Sequence, residues 1–285
     1  MASIKTIRRR IRSIENTRKI FKAMETVAAA KLRRAQARAV AARPYSAKIT
    51  EMLANLAGAA NELEHPLFKA REVRRGALVL VTADRGLCGA YNANLVRAAE
   101  HRLRQAPPDS LALVLVGKKG RDYFRRRRWP VLASHVELPA EASLEFARRL
   151  TQDLIQRFVA GEVDRVEVMF SRFVSALTRR VTTEVFLPVG GGQAGEPPAD
   201  RGTLFEPDAE TIFAELLPRY ATAKLFAGMA DALASEHSAR MIAMGAARKN
   251  AGELLDLLVL QRNRARQAMI TKELLEIVAG AEALR

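Results

Sequence analysis

Cysteine is almost missing from this 285-residue sequence. Cys88 stands alone, so neither an intramolecular disulfide nor a cysteine-based zinc site can form within the chain. Histidine is also sparse. His65, His101, His135 and His237 are scattered without the spacing a metal site requires. Aromatic residues make up 6%, which leaves few of the stacking platforms that single-strand nucleic-acid binders use. No uninterrupted apolar run of about 18 residues occurs, so no segment is expected to span a membrane. The opening Met1-Ala2-Ser3-Ile4-Lys5 carries no apolar signal core.

Positive charge, by contrast, is plentiful: 47 Lys plus Arg face 31 Asp plus Glu, a net +16. Its location matters more than its size. Residues 1–50 hold 14 basic side chains and two acids, Glu15 and Glu25, a surplus of twelve. The remaining 235 residues hold 33 basic and 29 acidic side chains, close to balance. The charge anomaly is therefore assigned to one N-terminal segment, and the rest of the chain is taken as ordinary.

That segment carries a heptad seam from Ile4 through Ile7, Ile11, Ile14, Phe21, Ala28 and Leu32 to Leu63, with only Arg18, Glu25 and Ser46 polar. A period of 3.5 held this long predicts a coiled-coil helix rather than a globular surface helix. Pro44 is expected to kink or loosen it. From about Arg219 onward the composition turns Ala-, Leu-, Met- and Arg-rich without proline, which predicts a second long helix. Between them, Ala77–Thr82 and Leu111–Val116 are apolar runs typical of strands buried on both faces. Helices are expected at about 91–105, 118–128 and 142–159, and further strands at 165–170 and 181–189. The predicted fold is α/β: a long antiparallel two-helix coiled coil from the chain termini plus a Rossmann-like domain in the middle. Its boundaries are 1–63 for the first helix, 74–190 for the α/β domain, 191–208 for a Gly/Pro-rich linker and 209–285 for the second helix.

Candidate chemistry is thin. The loop Asp84-Arg85-Gly86-Leu87-Cys88-Gly89 follows the first strand, where a nucleotide-binding fold places its phosphate loop, yet it fits neither G-x-G-x-x-G nor G-x-x-x-x-G-K-[ST]. A tight strand-to-helix turn is the simpler reading. Cys88 beside Arg85 invites a thiolate reading, but no sequence pattern supplies a base. Glu273 and Glu276 share a helix face without a pocket. The clusters Arg8-Arg9-Arg10-Arg12 and Arg125-Arg126-Arg127-Arg128 fit a solvated face or a protein partner better than nucleic acid, given the scarcity of interleaved aromatics.

Longer strings carry more. Asn16-Thr17-Arg18-Lys19-Ile20, Lys22-Ala23-Met24 and Val27–Leu32 resemble the N-terminal helix of F-type ATP synthase gamma subunits. Asp84–Gly89, Ala234–Met241, Asn263–Gln267 and Ile270–Ala281 resemble the same family, at matching spacing over nearly the full length. The resemblance implies a central rotary shaft that couples rotation of the membrane c-ring to conformational cycling of catalytic beta subunits. ATP synthesis and its reversal would then take place on beta, and this chain would carry no cofactor and no catalytic residue. The implied partners are the alpha and beta subunits, epsilon and the c-ring, with one copy per complex, peripheral to the cytoplasmic side of a bacterial membrane.

Carried over by position, Arg266 and Gln267 would grasp a loop of beta, and Arg85 would face an acidic segment of beta. Arg8, Arg9, Arg10, Arg12, Lys19 and Lys22 would line the shaft. Ile270, Thr271, Glu273, Glu276, Gly280 and Ala281 match the closing family signature. The domain around the glycine loop, with Leu204–Pro207, would form the foot near epsilon and the c-ring. Gly245 departs from a commonly polar family position, which implies local flexibility, and the lone Cys88 excludes the plastid type of thiol regulation. The alternative considered is an arginine-rich coiled coil that binds nucleic acid.

Overall fold

A computed structural model describes residues 4–59, 65–69, 71–139, 141–189 and 209–282. The expected linker at 191–208, including Leu204–Pro207, lies outside the described residues. The element order is α1 (Ile4–Ala59), β1 (Gly76–Val81), α2 (Tyr91–Gln105), β2 (Leu111–Val116), α3 (Lys118–Phe124), β3 (Val131–His135), α4 (Leu144–Val159), β4 (Arg165–Phe173), β5 (Arg179–Leu187) and α5 (Ala209–Glu282). No helix among the described residues is long and apolar enough to cross a membrane.

The five strands lie in the order β3-β2-β1-β4-β5. The first four are parallel, and β1 is fully buried along its length because helices cover both faces. The α/β expectation thus holds, with two corrections. Val131–His135 forms an edge strand that the sequence reading passed over, since its half-exposed Val-Leu-Ala-Ser-His pattern gives no clean period. The final strand, β5, is antiparallel, because the turn after Phe173 is too short for a crossover and leaves only a hairpin.

Helix ends also differ from expectation. α3 stops at Phe124 rather than at residue 128, in keeping with Trp129-Pro130, where proline disfavours helical geometry in the residue before it. α4 starts at Leu144, with the Ser143 hydroxyl accepting from the Phe146 amide as its N-cap. α5 begins at Ala209 and contains Pro218. α1 runs unbroken through Pro44. Both Pro44 and Val40 are exposed, so water can solvate the one carbonyl that the missing N–H releases.

The chain divides into two compact units. The larger, Ala29–Arg240, contains the sheet and its helices. Its core on one face joins Val79, Val114, Leu154, Phe158 and Val168 to Leu217, Leu225 and Met229 of α5; on the other, Leu78, Leu80, Leu113 and Phe124 pack with Leu95 and Ala99 of α2. The smaller unit pairs residues 1–28 with 241–285. There Ile7 and Ile11 of α1 pack on Leu255 and Leu258 of α5, while Glu25 lies opposite Gly245 and Arg248. Early α1 meets late α5, so the pair is antiparallel. The heptad seam is the buried edge: Ile7, Ile11, Ala28 and Leu32 are each below 9% exposed, and among the described side chains Arg18 is the seam position that turns outward.

Candidate functional site

In an open α/β sheet, ligands bind beyond the carboxyl ends of the strands, where the strand order reverses. Here that point lies between β1 and β4, flanked by the 83–90 loop and the β4–β5 turn. Residues 232–240 of α5 cross it. The Tyr91 hydroxyl donates to the Ala232 carbonyl at 3.1 Å, Ser235 Oγ to Ser171 O at 2.8 Å, and Ser238 Oγ to Ala176 O at 2.5 Å. Arg179 donates to Ser238 Oγ at 3.0 Å. Small side chains allow this close approach: Ala234, Ser235 and Ser238 are at most 1% exposed.

Arg240 fastens the glycine loop to this helix. Its guanidinium pairs with Glu236 at 2.6 Å and donates to the carbonyls of Gly86, at 3.3 Å, and Arg85, at 3.5 Å. Burial raises the Glu236 carboxyl above its ordinary pKa, with Arg240 pulling the other way. Burial, assisted by the positive charge of Arg240 and Lys31, lowers His237 to about 4. His237 is therefore neutral at physiological pH.

The loop is held from beneath as well. Asp84 accepts the amides of Lys118 at 2.7 Å and Leu138 at 2.6 Å, so the chain's own carboxylate sits at the start of α3. Thr82 Oγ1 donates to Val116 O and accepts the Gly120 amide at 2.9 Å. A Cβ on Gly117, whose φ is +100°, would lie 2.2 Å from Thr82 O, so only glycine fits. Cys88 is buried, with its thiol pKa raised chiefly by burial, the opposite of an activated thiolate. Among the described residues, no group of three or more His, Cys, Asp or Glu is placed to hold a metal. The glycine loop is a turn, and its crevice is filled from within.

Arg85 exposes its side chain on this loop, while Arg266 and Gln267 are exposed on α5 in the other unit. Arg8, Arg9, Arg10, Arg12, Lys19 and Lys22 are all exposed along α1 and form no ion pair among the described residues. Beyond Ala265, α5 presents apolar side chains to solvent: Met269 and Ile270 are each 47% exposed, and Leu274, Leu275, Ile277 and Val278 more so. Thr271, Glu273 and Glu276 are exposed too; Lys272 pairs with Glu276 at 3.4 Å, and the surroundings of Gly280 and Ala281 lie outside the described set. A helix tip this apolar is an interaction surface awaiting partners. Sequence reasoning placed Ser235, Ser238, Glu236 and Arg240 in a family string but gave neither them nor Tyr91 a role in closing the crevice. Their signal was the Ala-Ser spacing of residues 232–239, which reads locally as plain helix.

A Rossmann-like sheet whose ligand crevice is closed by its own helix, with an antiparallel coiled coil from the chain ends, defines a coiled-coil assembly subunit. The family model described as ATP synthase matches residues 3–284. The ATP synthase gamma chain of Desulforamulus reducens is 47% identical, and that of Moorella thermoacetica 45%, each over the full length of both chains. The chain belongs to the ATP synthase gamma chain family. The fold is shared with a chain of the Euglena gracilis mitochondrial ATP synthase (TM-score 0.71, 19% identity, covering 99% of this chain and 94% of that one). It is also shared with a chain from the central stalk and c-ring of the Tetrahymena thermophila enzyme (TM-score 0.64, 24% identity, covering 80% and 99%).

Proposed function

We propose that this chain is the central rotary shaft of an F-type ATP synthase. The observation that carries the reading is the full-length match to gamma chains, supported by a crevice filled by protein rather than left for a ligand. The shaft itself is non-catalytic: it couples rotation of the c-ring to nucleotide sites on beta by making different contacts with each beta state. Residues 1–63 and 209–285 form the shaft, 74–190 the foot, and 191–208 the connection between them. The partners are the alpha and beta subunits around the shaft, with epsilon and the c-ring at the foot. One copy serves each complex, peripheral to the cytoplasmic face of the bacterial membrane.

Arg266 and Gln267 meet a loop of beta. Both are exposed and free of charged partners on their own helix, so a guanidinium fork and an amide remain available for backbone carbonyls and carboxylates. Arg85 meets an acidic segment of beta, and the exposed basic stripe from Arg8 to Lys22 faces the alpha–beta hexamer. The exposed apolar tip at residues 269–278 turns within a collar of those subunits.

The test places one cysteine at Met269 and another on the facing loop of beta in the assembled complex, and joins them as a disulfide with an added oxidant. Because Cys88 is buried, the engineered thiol is the reactive one on this chain. ATP hydrolysis should stop on cross-linking and return on reduction. Undiminished turnover in the cross-linked complex would refute the rotary reading.

A further inference from the structure

The near balance of charge after residue 50 conceals a second concentration. Residues 97–130 hold ten Lys plus Arg against Glu100, Asp109 and Asp122, a surplus of seven. Topology gathers much of it at one end of the sheet. Strands β1, β2 and β3 are parallel, and α2 and α3 run back against them. Both helices therefore finish at the amino end of the strands, opposite the end that α5 crosses with residues 232–240. Arg104 closes α2 there, and Arg125–Arg128 follow α3.

One of these arginines is a strut. Arg127 pairs with Glu100 at 3.3 Å, lies 3.4 Å from the centroid of the Tyr123 ring and donates to the Tyr123 carbonyl at 2.9 Å. This anchors the turn against α2. Asp122 is engaged by Arg121. Arg104, Arg125, Arg126 and Arg128 are exposed, and none makes a side-chain hydrogen bond or ion pair among the described residues. The half-buried Trp129 follows directly.

We propose that this arginine face binds the phosphate headgroups of anionic phospholipids. Several unneutralised guanidiniums on an exposed turn suit an extended surface of phosphates better than one small anion in a cavity. The neighbouring Trp129 and Tyr123 are half-buried against the core and hold the turn that presents the arginines. The inference rests on the shaft reading, which sets the foot beside the membrane-embedded ring, and it adds a lipid contact to the protein contacts of the foot.

The test uses the assembled soluble complex of alpha, beta, this chain and epsilon, in which the basic stripe of α1 is enclosed. Arg125, Arg126 and Arg128 are changed together to Gln, with Arg127 kept. Co-sedimentation is measured with phosphatidylglycerol-containing and pure phosphatidylcholine vesicles at roughly 0.1 M salt. The parent complex should favour the anionic vesicles, and the variant should bind them about a hundredfold more weakly, at roughly fivefold per arginine. Hydrolysis should be unchanged, and millimolar glycerol phosphate should not displace the parent; displacement would replace the membrane with a small soluble phosphate. Equal vesicle binding by parent and variant overturns the proposal. So does loss of epsilon from the variant complex, since that outcome assigns the arginines to a protein. Failure of the parent chain to assemble with alpha and beta would instead refute the shaft reading.

Discussion

Replacing Arg240 with alanine should uncouple the glycine loop from α5, and the expected loss can be worked from the geometry. Arg240 and Glu236 are 12% and 13% exposed, so truncating the guanidinium strands a carboxylate among buried groups. Breaking such a pair costs about 3–5 kcal/mol. Protonation sets a ceiling: neutralising a carboxyl of ordinary pKa at pH 7 costs about 3.4 kcal/mol. The hydrogen bonds to Gly86 and Arg85 are long, and losing them adds about 1 kcal/mol. Because Glu236 is already raised in the parent, Arg240→Ala should therefore cost at most about 4 kcal/mol at pH 7, measured by urea unfolding of the full chain.

The sign of the pH dependence is fixed. Glu236 already has a raised pKa in the folded chain, and losing Arg240 raises it further. The deficit is largest above the variant's further raised value and fades as pH falls toward the parent's own folded value, which already lies above 4.5. Well below that value only about 1 kcal/mol, from the lost hydrogen bonds, should remain. Adding Glu236→Gln to Arg240→Ala should restore roughly half of the pH 7 loss. A cost below about 1 kcal/mol, with no pH dependence and no rescue, would refute the account of Arg240 as a buried charged fastener.

Gly117→Ala should prevent folding or cost more than about 3 kcal/mol, because its Cβ would collide with a backbone oxygen, whereas Gly161→Ala should cost only about 1 kcal/mol. Gly161 also has positive φ, but its surroundings are open, so denaturation midpoints of the two variants separate clash from backbone strain. His237, at about 4 in the folded chain against 6.5 unfolded, contributes stability that is complete above pH 6.5 and lost as pH falls toward 4. Glu236 opposes this over part of that range, so the clean measurement is the stability difference between the parent and His237→Gln. It should shift against the parent by about 1.4 kcal/mol per pH unit in mid-range; a flat difference would show that His237 titrates normally. Gly245→Ala should be neutral or stabilise by up to about 0.5 kcal/mol, since alanine favours helix by about 1 kcal/mol. The added Cβ would sit 3.1 Å from Glu25 Oε1, the tip of a flexible side chain that can give by a few tenths of an ångström while its other oxygen keeps the pair with Arg248. A thermal melt showing a loss above about 1 kcal/mol would mean that the glycine is demanded by packing.

The Gly245 case shows how far local reasoning reached. In sequence it looked like a flexible point in the second helix. In the structure it is a slot that admits the Glu25 carboxylate, which pairs with Arg248 at 2.8 Å across the helix pair. The partner lies more than two hundred residues away, beyond any window of periodicity. The same distance hid the crevice-filling role of residues 232–240. The edge strand at 131–135 was missed because an edge has no two-sided burial to imprint on the sequence.

Heptad spacing settled the first helix by itself, because a seam buried along one face must repeat every 3.5 residues, and a proline-free run of strong helix formers settled the second. Apolar runs likewise settled the inner strands β1 and β2, which are buried on both faces. The resembling strings along the chain pointed to the family by themselves. Tertiary structure decided what the glycine loop does, since an empty and a filled crevice share one local sequence. It also decided where the charge acts. The arginines at 104 and 125–128 are separated by a strand and two helices' ends, and only the parallel sheet, which returns every connecting helix to the same edge, gathers them into one face.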